Sequence, residues 1–177
     1  MKVIFLDIDG VLATNKEYMV NRTKFQTKHA EAKELRIPYP YNPQCVKIFN
    51  EIIEATDATI VLSSDWRFHW DLDEIDRIFK FNGLNKSPEY YTINRKRKMS
   101  SSLGDDRHWQ IMEWVNHNKP NTWVAIDDLN LTRSFEEGGY GQNFFLTNDS
   151  EGIKKIGLKN KIIKHLNADI TPKNPSF

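Results

Sequence analysis

"VIFLDIDGVL", residues 3–12, is an apolar run that meets two aspartates, Asp7 and Asp9, and then Gly10. In "KVIFLD" (2–7) the residues from Val3 to Leu6 are all apolar, the pattern of a strand covered on both faces. An acid that ends such a strand stands at the carboxyl edge of the sheet, where open α/β sheets bind ligands. One aspartate there suits a turn, whereas a second, two positions on, asks for another reason. The same pattern returns twice. "ATIVLSS" (58–64) ends in Ser63 and Ser64, and "TWVAIDD" (122–128) ends in Asp127 and Asp128. "NFFLTN" (143–148) reads as a fourth strand.

Helical periodicity fills the spaces between these strands. In "NPQCVKIFNEIIEAT" (42–56), Val46, Phe49, Ile52 and Ile53 share a face, and Pro43 suits a first turn. "DLDEIDRIFKFNG" (71–83) predicts a helix ending at Gly83. "DRHWQIMEWVNHN" (106–118) predicts another, with Asp106 as its cap and Trp109, Ile111, Met112, Trp114 and Val115 as its apolar residues. Residues 151–167 read as a turn followed by a final helix, and the tail "ADITPKNPSF" as loose chain. Alternating strands and helices imply an α/β fold, a mostly parallel sheet flanked by helices. Two polar stretches interrupt it. Residues 13–41 show little periodicity and contain "IPYPYNP", whose prolines disfavour helix; they predict a flap or small cap near the site. Residues 84–105, with "NRKRK" at 94–98, form the second excursion.

Composition bounds the reading. The 177 residues suit a single domain, 1–177, with a real core. A formal charge of +1 gives no general attraction to nucleic acid, so any such affinity must come from a local patch. Cys45 is the only cysteine, which excludes an internal disulfide and a cysteine-rich zinc site and fits a reducing, cytoplasmic setting. No apolar run approaches the roughly 20 residues of a membrane span. The first residues read as a strand rather than a leader.

In this topology Asp7, Asp9, Ser63, Ser64, Asp127 and Asp128 converge on one edge. Four carboxylates there would repel one another and raise one another's pKa values. A divalent cation resolves this, and oxygen ligands suit Mg2+, which takes one or two carboxylates plus a substrate phosphate. A carboxylate can also attack phosphorus, and a second acid beside it can protonate the leaving oxygen and then activate water.

"FLDIDGVL", "IVLSS" and "VAIDD" together resemble motifs one, two and four of the haloacid dehalogenase (HAD) superfamily, in order and on predicted strands. "IVLSSDWR" (60–67), "RHWQIMEWV" (107–115), "VAIDD" (124–128) and "FFLTNDSEGI" (144–153) narrow the resemblance to the HAD domains of Swiss-army-knife RNA repair proteins. The resemblance implies a Rossmann-like HAD fold with at most a small cap, and a HAD-type phosphomonoester hydrolase using Mg2+. It makes Asp7 the nucleophile and a metal ligand. Asp9 becomes the general acid/base, with its backbone carbonyl on the metal. Ser63 binds the phosphoryl group, with Ser64 one residue off as the alternative. Asp127 is a metal ligand, and Asp128 a second ligand or one acting through water. Motif three is normally a lysine; here Arg107 holds the matching position, with Lys98 and Lys96 as loop alternatives.

The second aspartate favours phosphoryl chemistry over dehalogenation within that superfamily. Short excursions leave no room for a large lid, so the site suits a large substrate, such as a nucleic-acid end or a phosphoprotein, and the family resemblance implies RNA or DNA ends. "NRKRK", Tyr90 and Tyr91 are candidates to hold phosphates and stack bases. A small-molecule phosphatase and a non-catalytic nucleic-acid binder are the alternatives. Trp66 reads as core packing ahead of base stacking. His69 and His108 read as bystanders, since Mg2+ prefers oxygen. Oligomeric state is not legible.

Overall fold

The computed structural model describes residues 1–92 and 103–168. "NRKRK", with Lys96 and Lys98, lies outside the described residues, as does the tail from 169 onward. Among the described residues five strands form one parallel sheet: β1 (Lys2–Leu6), β2 (Thr59–Leu62), β3 (Tyr90–Tyr91), β4 (Thr122–Asp127) and β5 (Phe144–Leu146), in the order β3-β2-β1-β4-β5. The chain runs outward from the centre in one direction and then in the other, which leaves β1 and its aspartates at the point where the direction reverses.

Side chains alternate strictly along each strand, and each face of the sheet has its own core. Ile4, Leu6, Ile60, Leu62, Val124 and Ile126 face one way. There they meet α4 (Pro43–Thr56) through Cys45, Phe49 and Ile52, α5 (Leu72–Phe81) through Ile75, Ile78 and Phe79, and α8 (Leu158–Leu166) through Ile162 and Leu166. Val3, Phe5, Val61, Trp123 and Ala125 face the other way, onto α6 (Leu103–Asn118) and α7 (Thr132–Glu137) through Ile111, Trp114, Val115 and Phe135. The expected α/β class and parallel sheet are those observed.

Local chemistry sets the boundaries. Asn42 caps α4, its side chain accepting from the amides of Gln44 (3.0 Å) and Cys45 (3.3 Å), and Pro43 opens the helix. Asp71 and Glu74 form a reciprocal capping box on α5, and Gly83 follows that helix at φ +83°. Helix α6 starts at Leu103, so Asp106 lies inside it rather than at its cap. Among the tryptophans read as core, Trp114 and Trp123 are buried.

Residues 13–41 contain more structure than their pattern implied. They fold into α1 (Asn15–Tyr18), α2 (Arg22–Lys28) and α3 (Ala30–Glu34), while the prolines keep 38–42 extended. Phe25, Ala32, Leu35, Ile37 and Tyr41 join the core on the α4 side, so docking rather than amphipathic repetition holds these short helices. The buried Glu17 ties the two ends of the segment together. Its carboxylate accepts from the Thr14 amide (3.1 Å), the Thr14 hydroxyl (2.6 Å) and Asn42 Nδ2 (3.0 Å). Glu17→Ala strands these donors, and urea unfolding is expected to show a loss of about 3 kcal/mol. A loss below about 0.5 kcal/mol would mean that the segment closes without Glu17.

Candidate functional site

Parallel register brings the site together. Leu6 pairs with both Leu62 and Ile126, so one step on Asp7 stands level with Ser63 and Asp127. The ladder continues through that step, with the Asp7 amide on the Ile126 carbonyl and the Ser63 amide on the Leu6 carbonyl, both at 3.0 Å. Because Leu6, Leu62 and Ile126 all face α4, the next residue on each strand turns toward α6. Asp7, Ser63 and Asp127 are therefore neighbours on one face, 3%, 1% and 1% exposed.

The cation comes from α6. Arg107 lies one turn before Ile111 and two before Trp114, on the side of the helix that packs against the sheet. Its Nη1 is 3.2 Å from Asp7 and 3.0 Å from Asp127, and its Nη2 is 3.1 Å from Asp65. Burial works against its charge, but the carboxylates of Asp7 and Asp127 outweigh that and raise its pKa. Arg107 is thus a cation beside Asp7; the loop alternatives, Lys96 and Lys98, lie outside the described residues.

A second arginine lies behind the first. Arg67 Nη1 donates to the carbonyl of Ser63 and, at 2.6 Å, to that of Ser64, while Nη2 donates to Gln110 at 2.6 Å. This braces the end of β2. Burial, then the nearby Arg107 charge, pulls Arg67 down to about 10, so it stays cationic near neutrality. The two serines differ. Ser64 Oγ accepts from the Trp66 amide at 3.4 Å, at the start of the single turn Asp65–Phe68. Ser63 Oγ is buried and has no hydrogen-bond partner among the described residues. An orphaned hydroxyl beside Asp7 is open to a ligand oxygen.

Asp7, Asp127 and Asp128 each offer a carboxylate oxygen within 4.8 Å of the others. Gly10 makes room for the third. It turns at φ +67°, and a Cβ there would lie 2.4 Å from the Asp128 side chain. Burial, then the Asp7 charge, pushes Asp127 up to about 7. Burial, Asp7 and Asp149 push Asp128 up to about 7 as well. Carboxyls crowded enough to retain protons near neutrality are a fitting donor set for a hard divalent cation, whose charge reverses that effect.

Asp9 belongs to a different environment. Its carboxylate turns away from the three acids and accepts from Tyr39 Oη at 2.6 Å and from Trp66 Nε1 at 3.1 Å. Burial raises its pKa, and the Tyr39 hydrogen bond opposes this without cancelling it. Tyr18 supports the same loop: its hydroxyl receives the Gly10 amide and donates to the Ala13 carbonyl at 3.0 Å. The Asp9 side chain is thus not one of the three carboxylates that lie within 4.8 Å of one another.

With this geometry in view, the match to known families has a physical counterpart. The model for the HAD domain in Swiss Army Knife RNA repair proteins matches residues 3–156. The chain belongs to this family. Searches of curated proteins and of solved structures found no match.

Every described residue of the expected set in this HAD domain lies at the β-strand edge: Asp7, Asp9, Ser63, Ser64, Arg107, Asp127 and Asp128. Lys98 falls outside the described residues. Tyr39, Asp65, Arg67 and Asp149 were not anticipated there, and Trp66 was expected as core packing rather than as a partner of Asp9. Trp66 is buried, as core packing requires, yet its indole N–H serves Asp9. The rule that a buried indole N–H needs an acceptor could have flagged it. Tyr39 had no signal beyond its place in a polar segment. Tyr91 donates to the Trp70 carbonyl at 2.7 Å, and the Tyr90 ring lies tilted beside Trp114 with centroids 6.0 Å apart, so both have structural partners.

Two substitutions test the arrangement. Arg107→Ala leaves Asp7 and Asp127 uncompensated, and the divalent-free protein is expected to lose about 3 kcal/mol in urea unfolding. An unchanged midpoint would show that those acids are neutral without it. Gly10→Ala drives a methyl into Asp128 and is expected to weaken calorimetric Mn2+ or Mg2+ binding about tenfold to a hundredfold, with the far-ultraviolet spectrum retained. Unaltered affinity would remove Asp128 from the cation site.

Proposed function

We propose that this HAD domain is a Mg2+-dependent phosphatase that removes terminal phosphates from RNA or DNA through an aspartyl-phosphate on Asp7. The observation that carries the reading is the pairing of Asp7 with Arg107 at 3.2 Å, beside a Ser63 hydroxyl that lacks a partner among the described residues. A nucleophile, a cation and a free donor meet at one point, as phosphoryl transfer requires.

The steps follow from these groups. Arg107 and Ser63 hold the non-bridging oxygens of the phosphoryl group and orient phosphorus toward Asp7. The Asp7 carboxylate attacks, forming an O–P bond as the bond to the leaving alcohol breaks. Asp9 gives its proton to that alcohol, a role its raised pKa suits. The ionised Asp9 then takes a proton from water as the water oxygen attacks phosphorus. The Asp7 O–P bond breaks, which releases phosphate and restores both carboxyls. Tyr39 and Trp66 keep Asp9 in place through both transfers. Mg2+ held by Asp7, Asp127 and Asp128 would neutralise phosphoryl charge. Arg67 fixes the Ser63–Ser64 backbone from behind.

The RNA repair context of the family supports a polynucleotide substrate over a metabolite. The full chain with Mg2+ is expected to release phosphate from 3′- or 5′-phosphorylated oligonucleotides with a higher kcat/KM than from nucleoside or sugar monophosphates. Asp7→Asn is expected to lower this by about 10,000-fold or more. Release from metabolites alone would move the assignment to a small-molecule phosphatase, and persistent activity in Asp7→Asn would overturn the nucleophile.

A further inference from the structure

A cavity of about 300 Å³ opens next to the residues that hold Asp9, lined by Arg22, Arg36, Pro38, His69 and Trp70. Both of its walls lead back to Asp9. Pro38 precedes Tyr39, and the Trp70 ring stacks on Trp66 with centroids 4.7 Å apart and planes 29° from parallel. The stacked pair Trp70 and Trp66 thus links the cavity to the Asp9 carboxyl, which accepts from the Trp66 indole N–H at 3.1 Å. Its size lies at the lower end of the range for ligand cavities, room for one unit of a polymer rather than several.

The charge around it is local. Residues 13–41 carry six lysines and arginines against three glutamates, in a chain of net charge +1. Glu17 is internal, and Glu31 and Glu34 are both engaged by Arg77, at 3.5 and 2.9 Å. Arg22 makes no ion pair among the described residues; its Nη2 donates to the Arg36 carbonyl at 3.2 Å. Arg36 has a partner in Glu74 at 3.4 Å, but both side chains are solvated, so the pair is weak.

The backbone at Arg36 adds to this. The amides of Arg36 and Ile37 close α3 onto the carbonyls of Lys33 (3.2 Å) and Ala32 (2.9 Å), the helix ending in which glycine is usual at the first residue beyond the cap. Arginine stands there instead, at φ +58°, a conformation that disfavours a side chain. The strain is accepted at a position that presents a guanidinium to the cavity.

We infer that this cavity is a subsite for a single-stranded polynucleotide. It takes the nucleotide next to the phosphorylated end, with its phosphodiester on Arg22 and Arg36 and its base against Trp70 and His69. Every base offers a π-face, so such a subsite tolerates any sequence. The inference rests on the terminal-phosphatase reading for its orientation, while the cavity's own chemistry, two guanidinium groups beside an indole and an imidazole, favours a nucleotide over a phosphopeptide.

The test uses the full-length Asp7→Asn protein and fluorescein-labelled single strands without terminal phosphates, one of RNA and one of DNA, so that binding reports this cavity rather than the phosphoryl site. Fluorescence anisotropy is followed across a salt series. Combining Arg22→Ala with Arg36→Gly, the latter easing the backbone, is expected to weaken binding about tenfold and to reduce the slope of log K against log salt by about 0.7, the share of one phosphodiester. In a background with native Asp7, the same pair is expected to lower the ratio of kcat/KM for a phosphorylated oligonucleotide to that for p-nitrophenyl phosphate about tenfold. The strand bound more tightly identifies the RNA or DNA source.

Equal affinity and an unchanged ratio in a protein that hydrolyses p-nitrophenyl phosphate would overturn the subsite and leave the phosphatase reading standing. Arginine-dependent strand binding by a protein that hydrolyses no phosphoester would do the reverse. A phosphopeptide bound more tightly than either strand, through the same arginines, would also overturn the subsite.

Discussion

Asp7 and Asp127 stand side by side on adjacent parallel strands, both almost wholly removed from water. Left alone, two such carboxylates repel and take up protons. The sheet register makes the encounter unavoidable, so the surroundings must answer it. Arg107 does so from α6, and α6 can deliver it because Ile111, Trp114 and Val115 seat that helix on the same face toward which Asp7 and Asp127 point. Core packing and site electrostatics are therefore one arrangement.

The two aspartates of the opening strand show how far two positions can separate chemical roles. Asp7 completes the ladder and faces acids and arginine. Asp9 comes after the chain has turned, and meets a phenol and an indole instead. Gly10 then bends sharply enough for Asp128 to approach from β4. One carboxyl is placed beside positive charge; the other lies among aromatic groups, where burial raises its pKa. The same side-chain type thus meets two different environments within three residues.

The sheet and the charged edge were legible in the sequence because buried parallel strands are written as unbroken apolar runs, and each run stopped at a polar residue. The helices α4, α5 and α6 were legible by periodicity apart from the start of α6, and α8 was read as a final helix after a turn, whereas the six-residue α7 was not anticipated. The two-residue β3 and the four- to seven-residue helices α1 to α3 were not, since elements so short have no period to read. Their stability comes from docking Phe25, Leu35 and Ile37 on distant parts of the chain. The same limit hid Tyr39, which owes its contact with Asp9 to the path of that segment. Arg107 was picked out through the family resemblance, although α6 begins a turn earlier than expected, but its link to Asp65 and the bracing by Arg67 needed three dimensions.

An arginine at 107 can do what a lysine there could not, and the geometry shows why. A lysine carries one compact ammonium on a flexible stem. Here three carboxylates must be met from a single buried side chain, with Asp7 and Asp127 on one guanidinium nitrogen and Asp65 on the other. Asp65 also receives Arg67 at 3.5 Å, so the two arginines share an acid at the outer margin of the site. A planar fork with separated donors can satisfy the inner pair and the outer acid at once, and its rigidity holds the group still while Ser63 is left free of protein partners among the described residues. The fork ties α6 to the turn that follows β2, so that Arg107, the serines and Asp7 are positioned as one unit.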